Sequence, residues 1–252
     1  MNSLQKAGRL ASRLLTIAVA NPRRLSHVLG SALAASDEVM NRAGDPLQIP
    51  QVDVNSLLPE SGEPWRIHLA FFPWTYASIS ILEFSCLVLL MKRAKAARVF
   101  EFGTYMGVSV TQFVLNVGPD SAVYTLDLPE NSTGTLLKID DPDEAALTVQ
   151  NRKGSLVPPD LKPRVTFLQQ DSAAFDESPH AGKIDFVFVD GAHSYDYVKS
   201  DSEKGWRMLR SGGIIAWHDV RHQDPDVVRF LVESSYRPTR IRGTSLAFAQ
   251  KP

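Results

Sequence analysis

From Arg98 to Gln250, short apolar runs rich in β-branched and aromatic residues alternate with helical stretches, the pattern that builds a parallel sheet covered by helices on both faces. Five such runs are legible: Arg98–Phe102, Val123–Asp127, Val165–Leu168, Ile184–Val189 and Gly213–Trp217. Their near-continuous hydrophobicity suits strands buried on both sides. A helix is expected over Asp226–Ser234, after which Thr239–Arg242 and Ser245–Gln250 flank Gly243-Thr244 as a terminal antiparallel hairpin. Ahead of the first strand, Ala77–Ala97 reads as one helix, with Ile79, Leu82, Cys86, Leu89 and Leu90 on one side. Its basic end, Lys92, Arg93 and Lys95, complements the helix dipole. The expected fold is α/β: a doubly wound, mostly parallel, seven-stranded sheet with a terminal antiparallel hairpin and an N-terminal helical extension.

The chain divides on this reading into 1–76, a helical cap segment, and 77–252, the sheet domain. Up to about residue 60 the apolar stripes are short and broken by Asn21-Pro22, Gly44-Asp45-Pro46 and Pro50. Lys6, Arg9 and Arg13 precede the run Leu14–Ala20, which reads as an amphipathic docked helix in preference to a cleaved signal. Pro129–Pro163 is too long for a simple connection and reads as an insertion over the rim of the sheet, with the acidic stretch from Asp140 to Glu144 capping a helix to about Arg152. Trp65, Trp74 and Tyr76 are read as core in preference to an aromatic substrate wall.

Composition narrows the function. Lys and Arg total 27 against 28 Asp and Glu, a net charge of −1, so no basic field exists to hold a nucleic-acid backbone. Cys86 is the single cysteine, which precludes an intrachain disulfide and a thiolate zinc cluster and favours a reducing, cytoplasmic setting. No apolar run reaches the roughly 18 residues that mark a bilayer span. Association into a homo-oligomer is left open.

In an open parallel sheet, ligands bind beyond the carboxyl ends of the strands. After the first strand comes Glu101-Phe102-Gly103-Thr104-Tyr105-Met106-Gly107-Val108-Ser109, a glycine-bearing turn opening a helix. Its Gly-x-x-x-Gly spacing lacks one glycine of a dinucleotide cradle. The second strand ends in Asp127, whose carboxylate can accept from both hydroxyls of a ribose, and Asp171-Ser172 follows the third, where an adenine can be read. Loop solvation or helix capping explains each residue singly; together they favour an adenosine ligand.

The fourth strand ends in Asp190-Gly191-Ala192-His193-Ser194-Tyr195 and the fifth in His218-Asp219. One crossover helix makes these strands neighbours, so Asp190 and Asp219 should face one another at the rim. Two carboxylates so placed repel unless something positive sits between them, and a divalent cation such as Mg²⁺ meets that need. The plainer alternative is that Asp190 caps its turn while Asp219 pairs with Arg221 or Arg229.

These residues resemble the class I S-adenosylmethionine-dependent methyltransferases. The pair Asp190-Gly-x-His-x-Tyr and Gly212-Gly213 leading to His218-Asp219, with Asp201 downstream of the first, is similar to methyltransferase family 24, a group related to macrocin-type O-methyltransferases and cephalosporin-hydroxylase-like proteins. The resemblance covers about Val99 to Gln250 and implies a Rossmann-like methyltransferase sheet. It implies a cofactor site in which Glu101, Gly103, Thr104, Tyr105, Gly107 and Ser109 line the methionine moiety, Asp127 and Leu128 hold the ribose, Asp171 and Ser172 border the adenine, and Asp190 closes the site. Asp190, His218 and Asp219 would form a metal site, and Tyr105 stands where many such enzymes carry glycine.

A sulfonium cofactor already carries an activated methyl group, so the protein must align an acceptor oxygen and remove its proton. His193 could take that proton, with Asp190 as its catalytic neighbour; a turn histidine bonded to backbone is the structural alternative. The implied activity is methylation of a small-molecule or sugar hydroxyl with S-adenosylmethionine and a divalent cation. A nicotinamide-dependent oxidoreductase on the same kind of sheet and a noncatalytic cofactor-binding protein are the competing readings.

Overall fold

The computed structural model describes residues 47–59, 61–72, 79–139, 145 and 152–252. The chain divides into two compact units, Met1–Pro46 and Leu47–Pro252, and all described residues lie in the second. The expectations for the N-terminal helix, for Trp74 and Tyr76, and for the acidic cap at 140–144 fall outside the described residues.

Among the described residues, eight strands form one sheet: β1 (Gln51–Val52), β2 (Arg98–Phe102), β3 (Ala122–Asp127), β4 (Val165–Gln169), β5 (Ile184–Val189), β6 (Leu209–Trp217), β7 (Thr239–Ile241) and β8 (Ala247–Gln250), in the order β1-β7-β8-β6-β5-β2-β3-β4. Only β8 runs antiparallel to its neighbours, β6 and β7; the other pairs are parallel. The sheet thus has one strand more than the seven expected. The extra one, β1, is two residues long, too short for any periodicity to announce it, and pairs with β7 at the edge. β6 also begins earlier than Gly213, with a register shift against β5 between Ile184 and Phe186.

Four helices cover the sheet among the described residues: α1 (Ile81–Arg93), α2 (Val108–Leu115), α3 (Tyr195–Met208) and α4 (Pro225–Glu233). Alternation along the strands sorts their side chains into two cores. Val99, Phe186, Phe188, Ile214 and Ala216 pack with α1 and α2, whereas Phe100, Phe102, Val187, Ile215 and Trp217 pack with α3 and α4. Trp65 joins the first core from its edge, in line with the core reading.

α1 is shorter than expected because it is capped at both ends. Ser80 and Glu83 form a capping box, and the chain leaves through Lys95 in a left-handed conformation (φ 51°). Leu82, placed on the buried side by its spacing, is 43% exposed. The stretch ahead of α1 is tied to α2 by side-chain amides: Gln112 exchanges hydrogen bonds with the backbone of Ala70, and Asn116 with that of His68.

The chain runs outward through β2, β3 and β4, then returns to lay β5 against the other side of β2. The strand order therefore reverses between β2 and β5, and a crevice opens there at the carboxyl ends.

Candidate active site

At the switch point three strand ends are locked by backbone. Asp190 N–H donates to Phe102 O (3.0 Å), His218 N–H to Val189 O (3.1 Å) and Gly103 N–H to Leu126 O (2.9 Å). Gly103 sits at φ 94°, and a Cβ there would lie 2.0 Å from the Asp190 carbonyl oxygen, so only glycine lets β2 end against that turn. Tyr105 also takes a positive φ, 42°, strain that an L side chain rarely accepts.

Glu101 is fully buried beneath this turn. Ser109 Oγ–H donates to one carboxyl oxygen and Thr125 Oγ1–H to the other (2.6 Å), while Thr125 and Thr104 share a further bond (2.6 Å). Burial pushes its pKa up to about 8; the two hydroxyls oppose that, and the Asp190 and Asp127 charges add to it.

Asp127 ends β3 with each oxygen engaged. Oδ2 accepts from Thr104 N–H (3.1 Å) and Tyr105 N–H (2.8 Å), which ties the glycine turn to β3. Oδ1 accepts from Leu128 N–H (2.7 Å) and from Lys153 Nζ (2.6 Å), which also donates to Leu128 O. Lys153 was not legible as a site residue: it sits in the long insertion with no motif around it. Beside it lies a cavity of about 270 Å³ bounded by Thr104, Asp127, Lys153, Gly154, Phe167 and Gln169.

Asp171 is likewise engaged. Ala173 N–H donates to Oδ1 (2.9 Å), while Leu136 N–H (2.8 Å) and Tyr197 Oη–H (2.8 Å) donate to Oδ2, so the carboxylate holds the insertion against α3. Lys204 Nζ donates to the carbonyls of Ser172 and Ala173 (2.7 Å to the latter). Asp201, next to Gly191, is buried; burial raises its pKa to about 7 against the Ser172 hydrogen bond and the Lys204 charge, and its Oδ1 has no hydrogen-bond partner among the described residues.

The β5 and β6 ends bring four titratable groups together. His218 Nδ1 lies 3.1 Å from Asp190 Oδ1 and 3.0 Å from Asp219 Oδ2; its Nε2 lies 3.1 Å from Ser245 Oγ and 3.6 Å from Glu83 Oε1. Burial disfavours the charged ring, yet Asp219 and Asp190 overrule it and hold the pKa well above 6.5. His218 thus supplies one positive charge beside the two carboxylates. Asp219 is buried too, but His218 and His193 keep it well below the ordinary carboxylate range; burial and the Asp219 charge raise Asp190.

Asp219 adopts φ 56° and pairs through Oδ1 with Arg221 Nη2 (2.7 Å), the pairing raised as the plainer alternative, while Arg229 pairs instead with Glu233. His193 Nε2 lies 2.8 Å from Asp219 Oδ2, and its Nδ1 faces Asp224 Oδ1 at 3.6 Å. Ligand atoms of Asp190, His193 and Asp219 all lie within 4.8 Å of one another, so the compact donor set contains His193 in the place expected for His218. Glu83, Asp190, Asp219 and Asp224 gather four carboxylates around His193, His218 and Arg221, an oxygen-rich set that suits a hard divalent ion. Glu83 was missed as a site residue, though the Ser80-x-x-Glu83 signature that positions it is plain in the sequence. Ser245 holds it there with N–H and Oγ–H bonds of 2.9 and 2.7 Å.

A family model described as a methyltransferase domain matches residues 100–220. Caffeoyl-CoA O-methyltransferase 1 of Zea mays is 25% identical over 162 residues, 64% of this chain and 58% of that protein. Caffeoyl-CoA O-methyltransferase 1 of Arabidopsis thaliana is 26% identical over the same shares. The chain thus matches less than two thirds of the length of these relatives. Among solved structures, cofactor-bound Rv0187 from MTB superposes with a TM-score of 0.50 at 20% identity, covering 70% of this chain and 82% of that one. A caffeoyl-CoA O-methyltransferase candidate from Staphylococcus aureus gives 0.51 at 16% identity, covering 69% and 85%. At these identities the structures speak for the fold alone.

Proposed function

We propose, from the match of residues 100–220 to a methyltransferase-domain family model, that this chain is an S-adenosylmethionine-dependent O-methyltransferase acting on a small-molecule hydroxyl, assisted by a divalent cation. The reading rests on one observation: Asp127, Asp190 and Asp219 stand at the carboxyl ends of β3, β5 and β6, on either side of the β2–β5 switch point, the place where such a sheet takes a ligand. Bound there, S-adenosylmethionine supplies an activated methyl group. Glu101 beneath the turn from Gly103 to Gly107 offers the buried acid that an ammonium-bearing methionine moiety needs, with Thr104, Tyr105 and Ser109 completing the wall. Asp127 and Leu128 take the ribose. Asp171 and Ser172 act at the adenine edge, Asp171 by holding Leu136 and Tyr197 there.

Asp190 and Asp219 would hold the cation, which supplies stabilisation of the acceptor's developing alkoxide. His218 stays behind them as a fixed countercharge. His193, whose side chain is 32% exposed, is the member of the group that an acceptor can reach, and Asp219 at 2.8 Å orients its ring. With Nε2–H directed to Asp219, Nδ1 takes the hydroxyl proton. The buried, unpaired Cys86 fits a reducing, cytoplasmic setting, and among the described residues no helix is long and apolar enough to cross a membrane.

The test is transfer of labelled methyl from S-adenosylmethionine to a panel of catechols and sugars, with chelator and then with Mg²⁺ or Mn²⁺ restored. Chelation should abolish turnover and the ion restore it. His193→Ala should keep cofactor binding while losing about 10²- to 10⁴-fold in turnover. Full activity in chelator would remove the metal from the reading, and no transfer to any acceptor would favour the noncatalytic alternative.

A further inference from the structure

Lys153 stands at the place assigned to the ribose, and its environment is built. Its side chain is 8% exposed; Nζ lies 2.6 Å from Asp127 Oδ1 and donates as well to Leu128 O. The chain that follows is laced to the glycine turn: Gly154 N–H donates to Tyr105 O (2.8 Å) and Leu156 N–H to Met106 O (2.9 Å). Gly154 (φ 65°) abuts the Phe167 ring, and a Cβ on Gly107 would lie 2.4 Å from Val157 Cγ2, so the strap from 153 to 157 is fitted into the rim at both ends.

Of the four donors on Asp127, three are backbone N–H groups of Thr104, Tyr105 and Leu128, fixed by the fold. The fourth is the end of a flexible four-carbon stem. A ribose diol reaching this carboxylate has one donor to displace, the Lys153 ammonium.

We infer that Lys153 is an internal competitor for the ribose: it occupies Asp127 in the free protein and must leave that carboxylate when the cofactor enters, so that it sets the cofactor's affinity. The inference rests on the cofactor reading above. Its physical content is an exchange of one charge-assisted hydrogen bond for those of a diol. Removing the ammonium while keeping the stem frees Asp127 before the cofactor arrives.

The probe is S-adenosylhomocysteine, titrated calorimetrically into the intact wild-type chain and Lys153→Met. The variant should bind about tenfold more tightly or better, since charge-assisted bonds carry roughly 1.5–3 kcal/mol and 1.4 kcal/mol is tenfold. A second readout needs no variant: modification of Lys153 by an amine-reactive reagent, followed by mass spectrometry, should rise when S-adenosylhomocysteine is added. Equal or weaker binding by Lys153→Met, or labelling that stays level or falls on saturation, would make Lys153 a cofactor contact and overturn the inference while leaving the cofactor site intact. Absence of binding to both wild type and variant would take down the cofactor reading, and this inference with it.

Discussion

Glu101 and Asp219 are both buried carboxyls at the rim, and their surroundings drive them in opposite directions. Asp219 faces two histidines and Arg221, so it stays ionised despite burial. Glu101 meets only hydroxyls and the negative charges of Asp190 and Asp127, and burial carries it from 4.5 to about 8. A raised folded pKa means that the fold binds the proton more tightly than the unfolded chain does. The stability it contributes is complete below pH 4.5 and is lost as pH climbs through about 8. Glu101→Gln, which keeps an uncharged group of the same shape, should flatten the decline in stability between those limits, where a tenfold difference in proton affinity between folded and unfolded chain is worth about 1.4 kcal/mol. Thermal unfolding of both proteins across that range measures it, and parallel declines would mean that Glu101 is ionised throughout.

Among elements, α1 shows how a local signal reaches the site. Ser80 caps the helix, Glu83 returns the bond to Ser80 N–H, and the other Glu83 oxygen receives Ser245 beside His218. Burial works against the Glu83 charge, but His218, Ser245 and Ser80 hold its pKa well below the ordinary range. Ser80→Ala should cost about 1 kcal/mol, the usual loss of a cap. Glu83→Gln should cost more, roughly 1–3 kcal/mol, because an amide nitrogen cannot accept where Glu83 now takes bonds from Ser80 N–H on one oxygen and from Ser245 on the other, leaving a buried donor unpaired. Equal losses in urea unfolding would reduce Glu83 to a capping residue. The capping box could be read from spacing, and so could β2 to β6, whose apolar runs are long enough to carry a pattern. β1 could not, being two residues at an edge. Nor could the Lys153–Asp127 contact, which joins residues 26 apart through a loop whose path depends on where Phe167 and Val157 pack. The strand-end carboxylates were legible because a parallel sheet brings every carboxyl end to one rim. That His193 would stand in the compact donor group with Asp190 and Asp219 was not, since that depends on side-chain direction at a left-handed Asp219.

At the largest scale, the unit Leu47–Pro252 is built on a sheet whose order reverses between β2 and β5, and the groups proposed for chemistry gather along the carboxyl ends there. Gly103 permits the approach of β2 to the Asp190 turn, Asp127 fastens the glycine turn to β3, and the His218 cluster joins β5, β6 and α1. An insertion without a recognisable motif supplies Leu136 and Lys153 to the ends of β4 and β3. The central claim is that this rim holds S-adenosylmethionine. The most direct measurement is calorimetric titration of the intact chain with S-adenosylhomocysteine, alongside Asp127→Ala. The account predicts saturable binding at one site per chain, weakened by about tenfold or more when the Asp127 carboxylate is removed. No heat from the wild-type chain, or an affinity unchanged by Asp127→Ala, would contradict it.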